Sequence, residues 1–157
     1  MISFGHAAMY GCLKLLKDQF ERYKSQHLDF SFGQTEIYYA SRHGQLDVLK
    51  WWFKICQDEK RPFVSDYTAT GAASRYGHLE VLKWWFKICR KEEIEFKFTI
   101  DVIDDALEKG HLNVLKWWFQ ISKDENLKFS DFNSDEIYHH RLQMMVFEDM
   151  SRSSDTI

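Results

Sequence analysis

Residues 77–86 read Gly77-His78-Leu79-Glu80-Val81-Leu82-Lys83-Trp84-Trp85-Phe86, and the phrase returns 33 residues to either side, as GQLDVLKWWF (44–53) and GHLNVLKWWF (110–119). A weaker copy, GCLKLLKDQF, occupies 11–20. Gly11, Gly44, Gly77 and Gly110 therefore stand 33 apart, as do Phe30, Phe63, Phe96 and Phe129. A fixed period between about 20 and 50 residues marks a stacked array of small units, none of which can bury its apolar face alone. Such arrays have no central pocket and work through an extended surface. The expected class of function is binding.

One unit resolves into two helices. Thr35, Thr68, Asp101 and Ser134 recur at the same position and are good N-cap types for a short helix A. Within it Ile37/Ala40, Thr70/Ala73 and Ile103/Ala106 share one face, the small alanine leaving room for a neighbouring helix. The repeat glycine then ends helix A, as a C′ glycine commonly does. Helix B starts at once. At about 100° per residue, Leu46, Val48, Leu49, Trp51, Trp52, Phe53, Ile55 and Cys56 cover roughly 220°, about twice the stripe of a lone surface helix. Neighbours on both sides must grip it. The pairs Trp51/Trp52, Trp84/Trp85 and Trp117/Trp118 are expected to form packing ladders along the stack, with Trp51, Trp84 and Trp117 at the edge of the apolar arc. In the first unit Asp18 and Gln19 stand where the others have Trp-Trp, giving the polar outer face that a terminal unit needs.

After Phe129 a fifth unit begins in register at Ser134, with His139 for the alanine and Gln143 for the glycine. Residues 135–150 read as one longer capping helix. The array is assigned to 1–149 and a flexible tail to 150–157. The class is all-α: stacked antiparallel helix pairs.

The string GHLEVLKWWF, with the A-x-x-x-G spacing from Ala73 to Gly77 before it, resembles the ankyrin-repeat phrase G-H-L-E-V-V-K-L-L-L, and 33 is the ankyrin period. The resemblance covers roughly residues 3–145. It is nearest to the divergent ankyrin arrays that giant DNA viruses, amoebae, oomycetes and fungi carry. It implies an ankyrin-like α-solenoid, with two departures. The usual Thr-Pro-Leu-His reads Thr35-Glu36-Ile37-Tyr38 and Thr68-Ala69-Thr70-Gly71, and the glycine ending helix B is replaced by Cys56, Cys89 and Ser122. Helix B then runs on by a turn, and the hairpin fingers between units become short or absent.

The resemblance also implies a non-catalytic module that binds another protein across a concave face made by helix A and the loop before it. By position, that face takes Met9 and Tyr10, Arg42 and His43, Arg75 and Tyr76, Glu108 and Lys109, with the loop positions Phe32 and Gln34, Ser65 and Tyr67, Phe98 and Ile100. These positions vary between copies while the core positions repeat. A host protein or an adaptor complex is the kind of partner implied. The alternative is a structural fragment or remnant of a longer array with no binding role of its own. A monomer is expected, with self-association as the behaviour of a fragment.

Composition narrows the rest. With 45% hydrophobic and 17% aromatic residues, the core is built from large plates, each burying about 150–250 Å². There are 21 basic and 24 acidic residues, a net charge of −3, and the pI near 6.2 lies far below the value above about 9 usual for nucleic-acid modules. No nucleic acid is expected as partner. No apolar run approaches the roughly 18 residues of a membrane span, so no membrane is expected either. The start, MISFGHAAMYG, lacks a basic n-region. Cys56 and Cys89 share a repeat position on helices about 8–10 Å apart, too far for a disulfide, whose Cα atoms sit about 4.4–6.8 Å apart. Three reduced thiols with no signal fit a cytoplasmic protein, the nucleus remaining open.

Chemistry is not indicated. His78 and His111 follow the repeat glycine and read as structural; His139 and His140 point about 100° apart on a helix. No Cys-x-x-Cys or His-x-x-x-His spacing suggests a metal, no phosphate loop or nucleophile elbow suggests a cofactor or a catalytic residue, and the chain is read as no enzyme. Asp101, Asp105 and Glu108 form a solvated acidic side of the third helix A. Lys17, Lys50, Lys83 and Lys116 form a solvated ladder, with Asp47 and Glu80 three residues before their lysines.

Overall fold

The computed structural model describes residues 3–28, 30, 32–63, 67–99, 101–124 and 144. Eight consecutive helices and no strand occur among these: α1 (Phe4–Met9), α2 (Leu13–Ser25), α3 (Gln34–Arg42), α4 (Leu46–Asp58), α5 (Tyr67–Arg75), α6 (Leu79–Lys91), α7 (Asp101–Glu108) and α8 (Leu112–Asp124). The odd-numbered helices are the short A helices and the even-numbered ones the B helices of 13 residues each. Each A packs on the B that follows it. The A helices also pack side by side, α1 on α3, α3 on α5 and α5 on α7, more closely than the B helices do. The cause is the run of alanines: Ala7, Ala40, Ala73 and Ala106 are all fully buried, and Ile37, Thr70 and Ile103 lie beside them in the core. The shared face read from the sequence is the buried one. The fifth unit from Ser134 and the tail lie outside the described residues, save Met144, which is helical and exposed.

The A-to-B turn is the same object four times. Gly11, Gly44, Gly77 and Gly110 sit at φ of 66°, 69°, 76° and 73°, the left-handed region that glycine enters without a Cβ penalty. Around Gly44, the Gln45 N–H donates to the Ala40 carbonyl at 2.8 Å and the Gly44 N–H to that of Ser41 at 3.4 Å. This is the Schellman pair that satisfies the orphan carbonyls of a helix end. The long bond recurs as Cys12 to Ala7, His78 to Ala73 and His111 to Ala106, each at 2.8 Å.

Helix B runs on, as the missing glycine predicted. Cys56 and Cys89 are inside α4 and α6, which end at Asp58 and Lys91. The stop there is another left-handed residue, but never glycine: His27, Lys60 and Glu93, at φ of 53°, 52° and 56°. The Arg61 N–H bonds the Cys56 carbonyl and the Ile94 N–H that of Cys89, both at 2.8 Å.

The N-terminal caps differ from expectation. Thr35 and Thr68 are inside their helices, because α3 begins at Gln34 and α5 at Tyr67. Gly33 is the cap of α3, and having no side chain it is served from within: Glu36 Oε2 accepts from the Gly33 N–H at 2.8 Å. Asp101 is the first residue of α7 rather than its cap.

Aromatic packing joins the units, and it alternates. The expected Trp ladder is a Phe–Trp one: Phe20 meets Trp51, Phe53 meets Trp84 and Phe86 meets Trp117, edge to face with centroids 6.0, 6.1 and 6.0 Å apart. This is a preferred geometry, because the positive ring edge meets the negative face. Phe30, Phe63 and Phe96, from the segments between units, fill the space beside Trp52, Trp85 and Trp118. Trp52, Trp85 and Trp118 are buried, and Trp51, Trp84 and Trp117 half-buried.

Candidate binding face

α3 and α5 have three sides taken by their own B helix and two A neighbours, α1 and α7 have a B helix and one described A neighbour, and each leaves a face outward. On α5 the outward residues are Tyr67, Thr68, Gly71 and Arg75, while Ala69, Thr70, Ala72, Ala73 and Ser74 are buried. Equivalent positions give Gln34, Thr35, Tyr38 and Arg42 on α3, Asp101, Asp104 and Glu108 on α7, and Gly5 and Met9 on α1. These ribbons lie side by side, so the face is a sheet of side chains four helices wide, and no two ribbons carry the same residues.

The sequence-derived set divides against this face. Met9, Gln34, Arg42, Tyr67, Arg75 and Glu108 lie on it. Tyr10, His43, Tyr76 and Lys109 cap the ends of their helices and form its lower rim; Tyr10 is 69% exposed, Tyr67 53% and Tyr76 39%. Phe32 and Phe98 do not belong. Phe32 is 6% exposed, with its ring 4.7 Å from that of Trp52. Phe98 is half-buried, 5.1 Å from Trp118. These loop aromatics fold into the seam between units, against the Trp rings of the following helix B. Ser65 and Ile100 lie outside the described residues. Sequence reading missed Tyr38, Gly71 and Asp104. The signal was available, because this position reads Gly5, Tyr38, Gly71, Asp104, three residue types in four copies.

Interactions across units hold the face. The Arg42 guanidinium lies 4.7 Å from the centre of the Tyr76 ring, a cation–π contact. Arg75 Nη1 is 2.7 Å from Asp105 Oδ1. Within a single unit, Lys109 Nζ is 2.9 Å from Glu108 Oε1, and this bond, with the lysine's charge, draws the exposed Glu108 carboxyl below its ordinary pKa. Beneath the rim, the residue after Gly44, Gly77 and Gly110 reaches back to the A helix of the preceding unit. Gln45 Nε2 donates to the Met9 carbonyl at 3.0 Å, His78 Nε2 bonds the Arg42 carbonyl at 2.8 Å, and His111 Nε2 that of Arg75 at 3.0 Å. The two histidines are structural, and their work is between units rather than in their own turns. Burial lowers the His78 pKa, the bond to Arg42 opposing it. Deeper still, Trp85 Nε1 donates to Ser41 Oγ at 3.3 Å and Trp118 Nε1 to Ser74 Oγ at 3.1 Å. The Ser74 hydroxyl in turn donates to the Val102 carbonyl.

A shallow cleft of about 320 Å³ opens at the α1 end of the face, lined by Ser3, Phe4, Gly5, His6, Met9, Thr35, Glu36 and Tyr39. No group of three or more His, Cys, Asp or Glu among the described residues could hold a metal ion. Cys12, Cys56 and Cys89 are free, and burial pushes the Cys56 thiol up to about 11, against the pull of Arg61 and with that of Glu59. A thiol held protonated in this way is a poor nucleophile. Lys83 pairs with Glu80 at 2.9 Å on the outer face of α6. No described helix is long and apolar enough to cross a membrane. Compared with protein-family models, curated proteins and solved structures, the chain matches none of them.

Proposed function

We propose that the chain is an ankyrin-type α-solenoid and a non-catalytic module that binds another protein across its helix-A face. The observation that carries this reading is the contrast between a repeated frame and an unrepeated face. Glycine turns, alanine contacts, glutamine or histidine clamps and Phe–Trp pairs recur at fixed intervals, whereas the outward ribbons of α1, α3, α5 and α7 change composition from one to the next, sharing only Thr35/Thr68, Arg42/Arg75 and Gly5/Gly71 at equivalent positions. A frame of that kind holds exposed tyrosines and arginines, the residue types enriched at binding hot spots, in fixed relative positions, so little ordering entropy is lost on binding. The protein acts as a monomeric adaptor without metal or cofactor.

The test is an affinity capture from the native cell type, read by mass spectrometry, with the triple variant Arg42→Ala, Arg75→Ala, Tyr76→Ala beside the original and circular dichroism to show that both fold. One protein enriched by the original and lost from the variant supports the reading. Identical recoveries, or none, sink it.

A further inference from the structure

One joint in the row of A helices is built unlike the others. Glu36 and Tyr39 of α3 lie against α1, since a Cβ built on Gly5 would sit 3.5 Å from the Tyr39 ring and 3.9 Å from Glu36 Oε1. On α5 the same two positions hold Ala69 and Ala72, both buried. On α7 they hold Val102, also buried, and Asp105, which pairs back to Arg75. Small or paired residues close those joints. At the first joint a carboxylate and an aromatic ring meet Gly5, whose equivalent on α3 is Tyr38, and the space left over is the cleft of about 320 Å³. Ligand clefts run from about 300 to 1,000 Å³, so this one has room for a single long side chain.

Its walls are fixed. The Gln45 bond to the Met9 carbonyl and the buried Ala7 and Ala8 hold α1 on α3, and Glu36 is held through Oε2, which accepts from the Gly33 N–H at 2.8 Å. Its other oxygen is left over. Oε1 has no hydrogen-bond or ion-pair partner among the described residues and stays open to solvent. The capping N–H is neutral, so it does not cancel the carboxylate charge. No lysine or arginine lines the cleft, and Phe4, Met9 and Tyr39 give it apolar surface. A long side chain ending in a cation matches this lining, its stem packing on apolar surface and its head meeting the ring and the carboxylate. A purely apolar group would desolvate the carboxylate without pairing it, and an acidic group would meet its charge. We infer that the cleft between α1 and α3 is a binding site for a lysine or arginine side chain of the partner protein, the cationic head on Glu36 Oε1 and the stem across the Tyr39 ring. This rests on the protein-binding reading above and adds the chemistry of one anchoring contact.

The probes are capped tripeptides, acetyl-Gly-X-Gly-amide with X lysine, arginine, norleucine or glutamate, titrated into the isotope-labelled full chain and read by amide NMR shifts. The lysine and arginine peptides should give saturable shifts in α1 and the first turns of α3. Norleucine, with a similar stem and no charge, should bind about fivefold or more weakly, and glutamate not at all. Glu36→Gln keeps an acceptor for the Gly33 N–H and removes the charge, so it should bring the lysine peptide down to the norleucine level. Gly5→Leu fills the cleft and should abolish binding. Gly5→Ala, whose methyl only touches the Tyr39 ring, should weaken it, and circular dichroism checks that each variant folds. Norleucine bound as well as lysine, Glu36→Gln without effect, or shifts that lie elsewhere or never saturate overturn the site. The protein-binding reading keeps its own test: a chain that still captures a protein through Arg42, Arg75 and Tyr76, while the lysine and arginine peptides leave α1 and α3 unshifted, loses the cleft alone.

Discussion

Each of the first three helix pairs turns twice through the left-handed region, and the two turns are governed differently. The A-to-B turn uses glycine at every copy, whereas the B-to-A turn uses His27, Lys60 and Glu93. Both close with the same backbone bonds, so conformation alone does not set the residue. The next unit does. A Cβ built on Gly44 would lie 2.6 Å from His78 Nδ1, one on Gly77 2.6 Å from His111 Nδ1, and one on Gly11 2.2 Å from the Gln45 side-chain oxygen. The clamp that ties each unit to the previous A helix lies flat on that glycine. The B-to-A turn also carries contacts between units, Arg61 Nη1 donating to the Phe30 carbonyl at 3.3 Å, Gln57 Nε2 to Glu92 Oε1 at 3.3 Å and Lys24 Nζ lying 3.5 Å from Glu59 Oε1, but they come from residues beside the left-handed position, which keeps a side chain of its own. Where a neighbouring unit lies on the turn residue itself, that residue is fixed twice.

The largest expected effect comes from breaking a doubly fixed turn. Gly77→Ala forces a side chain into the left-handed region, at about 1–2 kcal/mol, and pushes His111 off the Arg75 carbonyl, at about 1 kcal/mol more. Urea titration should show a loss of about 2–3 kcal/mol. Gly110→Ala is the comparison, since nothing among the described residues lies within 4 Å of its Cβ. It should lose only the conformational part, about 1–2 kcal/mol. Equal losses would mean that the clamp adds nothing to the glycine's role.

The clamp itself is next. His78→Ala leaves the Arg42 carbonyl without its partner and should cost about 1–2 kcal/mol. His78→Gln should cost less, because Gln45 makes the same bond in the preceding pair. The two also differ in acid. Burial lowers the folded pKa of His78, so the unfolded chain takes up the proton first. The stability that neutral His78 contributes is whole above the unfolded value of about 6.5 and drains as pH falls from there through the folded pKa. Chemical denaturation between neutral pH and mild acid should show the original losing stability and His78→Gln losing less. Parallel pH profiles would show that another group carries the acid sensitivity.

That clamp also marks the limit of what the sequence discloses. Apart from the caps, the features internal to one unit were legible: the glycine stop, the alanine face, the overrun of helix B past Cys56 and Cys89. Those features depend on a helical period and a turn conformation, both written locally. Contacts between units depend on how far one pair slides on the next, and no residue states that offset. The clamps span 36 positions and the Trp-to-Ser bonds 44, neither of which is the repeat period. Phe32 and Phe98 were misplaced for this reason, since their burial is decided by the Trp52 and Trp118 rings of the following helix B. Thr35 was misread as a cap because Glu36 serves Gly33 from inside the helix. On the candidate face, the rim and most of one ribbon were legible from copy-to-copy variation, but Tyr38, Gly71 and Asp104 were hidden by a family pattern that places a single residue type there.

The smallest effect, and the one that sharpens the contrast, is a gain. At Lys60 the left-handed backbone carries an exposed side chain, and no described neighbour would be displaced by its removal. Lys60→Gly should relieve the strain of about 1–2 kcal/mol and give back about 0.5–1 kcal/mol through the greater freedom of glycine in the unfolded chain. The net result should be a stabilisation of about 0.5–1 kcal/mol, seen as a later midpoint in urea with an unchanged slope. Glycine is thus required at one turn and merely better at the other. A loss of stability in Lys60→Gly would mean that the lysine makes a contact across the unit boundary, and the two turns would then be governed alike.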